Sequence, residues 1–187
     1  MKNVDALKNK VWFTYKARIM AHERLMLLNK VTQNLLIWYS LITVISSIVM
    51  IRFPLIFGSN GDILVTCISL IVLVLSLVVS NRDYRGREIE MRKNYLELQK
   101  LYRELEVKNE LPVDEFSETD ERYQLIIAKG ENHTEFDDLT FRVKNSTTRT
   151  PAWHAFIFYY VVKSTACLFL IAFIITPLII IFGMYSL

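Results

Sequence analysis

Three apolar runs constrain this 187-residue chain more than any other feature, because each is long enough to cross a lipid bilayer as a helix. Leu35–Ile51 contains 17 consecutive uncharged residues, and Ile63–Asn81 contains 19. Ser164–Leu187 is also free of charge. In hydrocarbon, backbone polar groups must be hydrogen-bonded within the protein, and a helix satisfies them within a single segment. The sequence therefore predicts an all-α integral membrane protein.

The spacing of these runs predicts a transmembrane helical hairpin followed by a third span. Continued as far as Phe57, the first run gives a full crossing of the bilayer. The segment Phe57–Asp62 contains two glycines and is so short that it can only close a tight turn. We therefore assign residues 35–81 to a two-span hairpin and residues 153–187 to a third transmembrane helix. Pro177 is expected to kink that helix or to mark its end.

The distribution of charge predicts the orientation of the spans. The net charge of +3 is too small to predict direct nucleic-acid binding. Residues 1–34 carry seven basic and two acidic side chains, and a second basic cluster follows the hairpin directly. The positive-inside rule then places the N-terminus and residues 82–152 in the cytoplasm and the C-terminus outside.

The predicted cytoplasmic segments include two helices that continue the hairpin as a stalk. Residues 1–34 form an amphipathic arm that continues into the first span. After the second span, a helix is predicted to continue directly, with a seam at alternating steps of four and three residues. The seam consists of Tyr84, Glu88, Met91, Tyr95, Leu98, Tyr102 and Leu105. Two helices alone bury too little apolar surface to be stable, so we expect further packing and a homo-oligomer.

Residues 111–152 form an acidic segment that is also predicted to be helical. Pro112 ends the preceding helix. Ser117–Asp120 offers several N-cap residues for a short helix over Tyr123–Lys129, with Gly130 as its C-cap. A further helix is predicted over Thr134–Val143.

Small hydroxyl residues recur on one face of each hairpin helix, and two interpretations of them stay open. The residues are Ser40, Thr43 and Ser47 in the first span and Thr66, Ser69, Ser76 and Ser80 in the second. Residues of this kind allow helices to pack closely. The same face becomes a weakly polar pore lining if several copies assemble and rearrange.

Two further groups of residues are candidate interface or signal contacts, although capping and subunit packing also explain the second group. They are Tyr95, Leu98 and Tyr102 on the seam, and Asn132, His133 and Asp137 in the densest polar cluster. Lys163 is a charge within the third apolar segment, which is a functional candidate by default. Snorkelling of its amine to the lipid head groups is the simpler explanation.

No catalytic or cofactor-binding motif is present in the sequence. The three histidines are scattered, and none has a second metal ligand three or four residues away. No phosphate-binding loop, dinucleotide fingerprint or nucleophile elbow occurs. We therefore predict a protein without enzymatic activity, metal or cofactor.

The arrangement of these elements resembles a known family. A basic, aromatic arm containing Trp12, Phe13, Tyr15 and Lys16 leads into the hairpin, and the heptad-like helix through residues 94–102 follows at once. Over about residues 4–138 the chain is similar to the SLATT domains, the SMODS- and SLOG-associating two-transmembrane effectors of prokaryotic conflict systems. The third apolar run departs from a two-span pattern, and is either an elaboration or a helix that plugs or scaffolds the assembly.

This resemblance implies an effector of the bacterial inner membrane that acts against phage. Such an effector is expected to oligomerise, and to form a pore or disrupt the membrane when a partner senses infection, which causes growth arrest or cell death. The implied partner is a nucleotide-signalling enzyme or a reverse transcriptase. The alternative is a non-conducting membrane anchor or scaffold for a cytoplasmic partner enzyme.

Overall fold

The computed structural model describes residues 2–108, 110–145 and 150–185, and 85% of these described residues are helical. Its elements are β1 (Lys2–Asn3), α1 (Asp5–Arg52), α2 (Gly61–Arg82), α3 (Tyr84–Glu106), β2 (Glu110–Leu111), α4 (Val113–Ala128), α5 (Glu135–Lys144) and α6 (Trp153–Tyr185). Residues 146–149 of the predicted cytoplasmic segment and 186–187 of the predicted third span lie outside the described residues. The prediction of an all-α membrane protein is confirmed.

Three stretches of helix are long and apolar enough to cross a membrane, and they lie in α1, in α2 with α3, and in α6. Helix α1 is 48 residues long, so the predicted arm and first span form one continuous helix. It ends at Arg52 and does not reach Phe57 as predicted. Pro54 causes this early end, because a proline disfavours helical backbone at the residue before it. The turn to α2 includes Gly58, whose φ of +77° is a conformation that glycine adopts readily.

A single residue separates α2 from α3. Asp83 has left-handed backbone angles (φ 42°, ψ 49°), and its N–H donates to the Ser80 carbonyl at 3.3 Å. The prediction that the second span continues directly into the heptad-like helix is therefore wrong at this position. Aspartate is one of the few residue types other than glycine that tolerate this conformation.

Helix α4 begins earlier in the chain than predicted. It starts at Val113, directly after Pro112, and the acidic side chains of its first turn interact favourably with the positive end of the helix dipole. The predicted N-cap at Ser117–Asp120 is wrong. Thr119 lies inside the helix, where its hydroxyl donates to the Glu115 carbonyl at 2.7 Å.

Helix α5 begins where the sequence predicts it. Thr134 is its N-cap, and the Thr134 hydroxyl oxygen accepts a hydrogen bond from the Asp137 N–H at 3.3 Å. The Asp137 carboxylate in turn accepts a hydrogen bond from the Thr134 N–H at 2.8 Å. This reciprocal pair is a capping box, which fixes the first turn of the helix.

Residues 1–27 and 84–159 form a compact unit, which we call the head unit. Its core is built mainly from one face of α1, the facing side of α3, and α4. The buried apolar side chains are Val4, Leu7, Val11, Tyr15, Leu98, Leu101, Leu105, Leu111, Tyr123 and Ile126. Strands β1 and β2 pair antiparallel, with Lys2 opposite Leu111 and Asn3 opposite Glu110.

The buried face of α3 differs from the predicted seam. It consists of Met91, Asn94, Leu98, Leu101 and Leu105. Tyr95 and Tyr102 are only half-buried, and their rings lie 5.5 Å from His22 and 5.6 Å from Tyr15 between centroids. Because α3 contacts both α1 and α4, its buried stripe is rotated around the helix from the predicted seam, toward Asn94 and Leu101.

Residues 28–83 and 160–187 form a second unit, which we call the membrane unit. Most of its large apolar side chains are exposed, including Ile37, Leu70 and Phe169, as expected for helices that face lipid. A Cβ added at Gly61 would lie 2.9 Å from the Phe57 Cβ, so glycine at this position permits the close approach of the turn to α2.

Candidate functional site

The head unit contains a charged side chain, Arg18, that is fully buried. Its Nη1 donates to Asn94 Oδ1 on α3, and its Nη2 donates to the Ile127 carbonyl of α4 at 3.1 Å. Asn94 Nδ2 also donates to the Ile126 carbonyl at 2.6 Å. This arrangement connects α1, α3 and the end of α4, and we call Arg18, Asn94 and these two carbonyls the arginine hub.

Within the described residues, the Arg18 guanidinium donates to an amide oxygen and a backbone carbonyl and not to a carboxylate. Burial lowers the pKa of its guanidinium below the ordinary value, and nearby Tyr123 partly opposes that effect. The two carbonyls come from the last turn of α4, which is the negative end of its helix dipole. Helix α4 has no basic residue in its own last turn, so Arg18 supplies the cation from α1. The Arg18 Nε has no hydrogen-bond partner among the described residues, so within them the polar groups of the hub are not fully satisfied.

Gly130 lies directly against the arginine hub. A Cβ at this position would lie 3.4 Å from Asn94 Nδ2 and 3.8 Å from Arg18 Nη1. The predicted role of Gly130 as the C-cap is wrong, because Lys129 is the C-cap of α4, in a right-handed conformation. The glycine instead allows the chain after α4 to approach Asn94 closely.

The predicted polar cluster divides into residues with different environments. Asp137 is buried, and its carboxylate accepts hydrogen bonds from Arg24 Nε and Nη2 at 2.9 and 3.1 Å in addition to its capping contacts. These contacts anchor α5 to α1. Asn132 is exposed, and His133 is half-buried. Leu98 lies in the core of its own chain, and a signal role for any of these residues remains a proposal.

His133 lies near the arginine hub, and its environment favours the neutral imidazole. Burial and the positive charge of Arg18 lower the His133 pKa, although Asp138 and Asp137 oppose that shift. Its Nδ1 is buried and has no hydrogen-bond partner in the part of the chain that the structure describes. Protonating His133 would therefore add a positive charge close to one that is already buried.

The stability of the head unit is expected to decrease as the pH falls below about 6.5, the usual histidine value. A lowered pKa means that the unfolded chain binds a proton at a higher pH than the folded chain, so acid favours unfolding. Thermal unfolding of the full chain in detergent, measured from pH 7.5 to 5.5, tests this. His133→Gln should flatten the decrease, whereas the exposed His154→Gln should not. An unchanged slope in His133→Gln would contradict the prediction.

In the membrane unit, α1 is hydrogen-bonded to backbone carbonyls of α6. The Tyr39 hydroxyl donates to the Phe173 carbonyl at 2.7 Å, and Trp38 Nε1 donates to the Ile174 carbonyl at 3.1 Å. Phe173 precedes Pro177 by four residues, and proline has no N–H with which to bond that carbonyl within the helix. The proline therefore leaves an acceptor that Tyr39 uses.

The hydroxyl residues of the hairpin occupy different environments within one chain. Five of the seven predicted positions are exposed, and Thr43 and Ser76 are half-buried. Several hydroxyls donate to carbonyls of their own helix, as Ser69 does to Val65 at 2.8 Å and Ser76 to Leu73 at 2.7 Å. Ser46, outside the predicted set, is the buried hydroxyl of α1 in this region. Most of the predicted face thus points away from the interior of its own chain.

Lys163 is exposed on α6. Both interpretations of it, a functional charge and a snorkelling amine, remain proposals. Among the described residues, no group of three or more His, Cys, Asp or Glu side chains could hold a metal ion.

Comparison with known proteins identifies a family. The model of SLATT_5, the SMODS and SLOG-associating 2TM effector domain family 5, matches residues 1–183. The match extends through the third apolar helix, which is therefore within the family pattern. No curated protein and no solved structure matches the chain.

Proposed function

This chain belongs to the SMODS and SLOG-associating 2TM effector domain family 5, and from that premise we propose that it is a membrane effector of a bacterial antiphage conflict system. It acts without chemistry of its own. When a partner senses infection, copies of the chain assemble or rearrange in the inner membrane, form a pore and arrest growth. The observation that carries this proposal is a family match over residues 1–183 on a chain with three helices that are long and apolar enough to cross a membrane.

The head unit is the proposed receiver of the signal. Its arginine hub joins three helices through a charge that is buried beside a neutral amide and two carbonyls. Such a hub is stable in one arrangement and costly in any arrangement that separates its members, which favours a discrete change over a gradual one. Helix α1 contributes residues to both units. A change in how α1 packs in the head unit therefore involves the helix that contains the proposed first span.

The hydroxyl face of the hairpin is the proposed pore lining. Five of its seven members are exposed in the single chain, which leaves them available to neighbouring copies. The hydroxyls of Thr66, Ser69 and Ser76 already donate to carbonyls of their own helix, so these side chains can face apolar neighbours at rest and water after rearrangement.

Substitution of the hydroxyl face is expected to abolish membrane depolarisation without abolishing assembly. Ser69→Leu and Ser76→Leu replace weakly polar surface with bulky apolar surface, which would close and dry the channel. The measurement is dye fluorescence reporting membrane potential in bacteria that express the chain with its genomic neighbours during phage challenge. Val74→Leu, at an exposed apolar position of the same helix, is the matched control.

Normal depolarisation by both serine variants would remove these positions from the mechanism. No depolarisation by the unaltered chain, together with stable co-purification of a partner enzyme, would instead support the anchor or scaffold function.

A further inference from the structure

The outward face of α3 carries a stripe of basic and apolar side chains. Opposite the buried face of the helix, exposed residues recur at steps of three and four residues: Arg85, Ile89, Arg92, Leu96, Lys100 and Arg103. Within the described residues, no salt bridge involves the four basic members of this stripe, which are Arg85, Arg92, Lys100 and Arg103. The acidic residues Glu97 and Glu104 lie on the flank of α3, where they pair with Lys129 and Arg122 of α4.

The outward face of α4 carries the opposite charge. Asp114, Glu118, Glu121 and Leu125 recur at steps of four, three and four residues, and all four are exposed. They lie opposite the buried face that contains Tyr123 and Ile126. The two stripes therefore share a pattern of charges with exposed aliphatic side chains, but one is basic and the other is acidic.

These two stripes cannot meet within one chain. Helices α3 and α4 pack against each other and the rest of the core through their other faces. A basic helix face and an acidic helix face that point outward from one unit are complementary surfaces for two copies of that unit. We propose that the outward face of α3 in one copy docks on the outward face of α4 in the next, an inference that rests on the proposed oligomeric effector.

The ion pairs between α3 and α4 indicate which residues would meet. Arg122 Nη1 lies 2.9 Å from Glu104 Oε2, and Lys129 Nζ lies 3.4 Å from Glu97 Oε2, so the two helices are antiparallel with Glu121 near the level of Leu105. When copies are arranged around an axis parallel to these helices, equivalent residues of neighbouring copies lie at the same height along that axis. Arg103 is then about 3 Å and Lys100 about 7.5 Å along the helix axis from the level of Glu121, at about 1.5 Å per residue. These long side chains reach Glu118 and Glu121 of the neighbouring copy, whereas Arg85 and Arg92 do not.

The proposed contact is heterologous, because it joins two different surfaces of the same chain. Each copy uses its basic face toward one neighbour and its acidic face toward the other. Such contacts generate a closed ring if the rotation between copies closes, and an open chain if it does not. A ring is the arrangement that a pore lined by several hairpins requires.

Charge reversal tests the interface. The full chain in detergent is compared by light scattering with Lys100→Glu/Arg103→Glu, which reverses the basic face, and with Glu118→Lys/Glu121→Lys, which reverses the acidic face. Each double variant is expected to weaken self-association at least tenfold. An equimolar mixture of the two, and the quadruple variant alone, should each restore association, because opposite faces meet again. Lys30→Glu/Lys93→Glu, at two exposed basic positions outside the stripe, makes the same change in net charge as the basic-face variant and should associate like the unaltered chain.

Several results would overturn this interface. Unaltered association of both double variants, failure of the mixture to recover, or a chain that is monomeric at every concentration would each do so. If the basic-face variant loses only its binding to vesicles that contain anionic lipid and associates normally, the stripe binds the membrane surface instead. The proposed function fails separately: the charge-reversal pattern could hold in a chain that never depolarises a membrane.

Discussion

Asn94→Leu is expected to destabilise the head unit by about 3–5 kcal/mol, because it leaves the buried Arg18 charge without its amide partner. The carbonyl of Ile126 also loses its side-chain donor and keeps only the Lys129 N–H. A loss of this size corresponds to a decrease in melting temperature of about 10 °C for a chain of this length. The measurement is thermal unfolding of the full chain in detergent, with limited proteolysis to locate the change in the head unit.

The double variant Arg18→Leu/Asn94→Leu separates an unpaired charge from a general packing defect. Removing both polar partners leaves an apolar pair, and such replacements cost far less than removal of one partner. The double variant should therefore be more stable than Asn94→Leu alone. Leu96→Ala, an exposed position on the same helix, is the control and should change stability little. If the double variant lost as much stability as Arg18→Leu and Asn94→Leu lose together, the interpretation of the hub as a coupled unit would be contradicted.

The arginine hub is the main feature of the fold that the sequence analysis did not predict. Arg18 lies at the spacing of the buried face of α1, with Val4, Leu7, Val11 and Tyr15 before it. In sequence, however, it is one of seven basic residues of the arm, and such charges usually face water. Its partner Asn94 is 76 residues away. The signal that could have identified both is a polar residue on an otherwise apolar helical face.

Features fixed by local chemistry were predicted more successfully than features fixed by distant contacts. The apolar runs determine the spans because hydrocarbon thickness sets their length. The helix over Thr134–Val143 was predicted to within one residue, because Thr134 and Asp137 form a cap from adjacent sequence. The stripe of α3 was predicted only in part, because it packs against both α1 and α4. Periodicity alone does not identify which neighbours a helix will have.

The early end of α1 and the early start of α4 have a common cause. Each boundary lies beside a proline, Pro54 and Pro112, whose effect on the neighbouring backbone is local. Both signals were present in the sequence. The prediction instead extended the first span to Phe57 to complete a crossing of the bilayer, and started the later helix from the N-cap candidates Ser117–Asp120. In the structure Pro112 itself is the N-cap of α4.

Tyr39→Phe and Trp38→Phe are expected to loosen the third span and to make the effector active without its trigger. Each removes one donor to α6 while keeping the aromatic ring, and an interhelical hydrogen bond in a membrane contributes about 1–2 kcal/mol in model systems. Loss of both would shift a two-state equilibrium by about 30-fold or more toward the released state. The measurement is membrane potential in cells that express the chain alone. The exposed Trp153→Phe is the control and should leave the potential unchanged.

Pro177→Ala tests why these hydrogen bonds exist. Restoring an N–H at residue 177 lets the Phe173 carbonyl bond within its own helix, so it no longer depends on Tyr39. Tyr39→Phe should then have a much smaller effect in the Pro177→Ala background than in the unaltered chain. Equal effects in both backgrounds would mean that the Tyr39 hydroxyl does not act through the carbonyl that the proline frees. A smaller effect would mean that the missing N–H of Pro177 frees the acceptor by which the first helix holds the third.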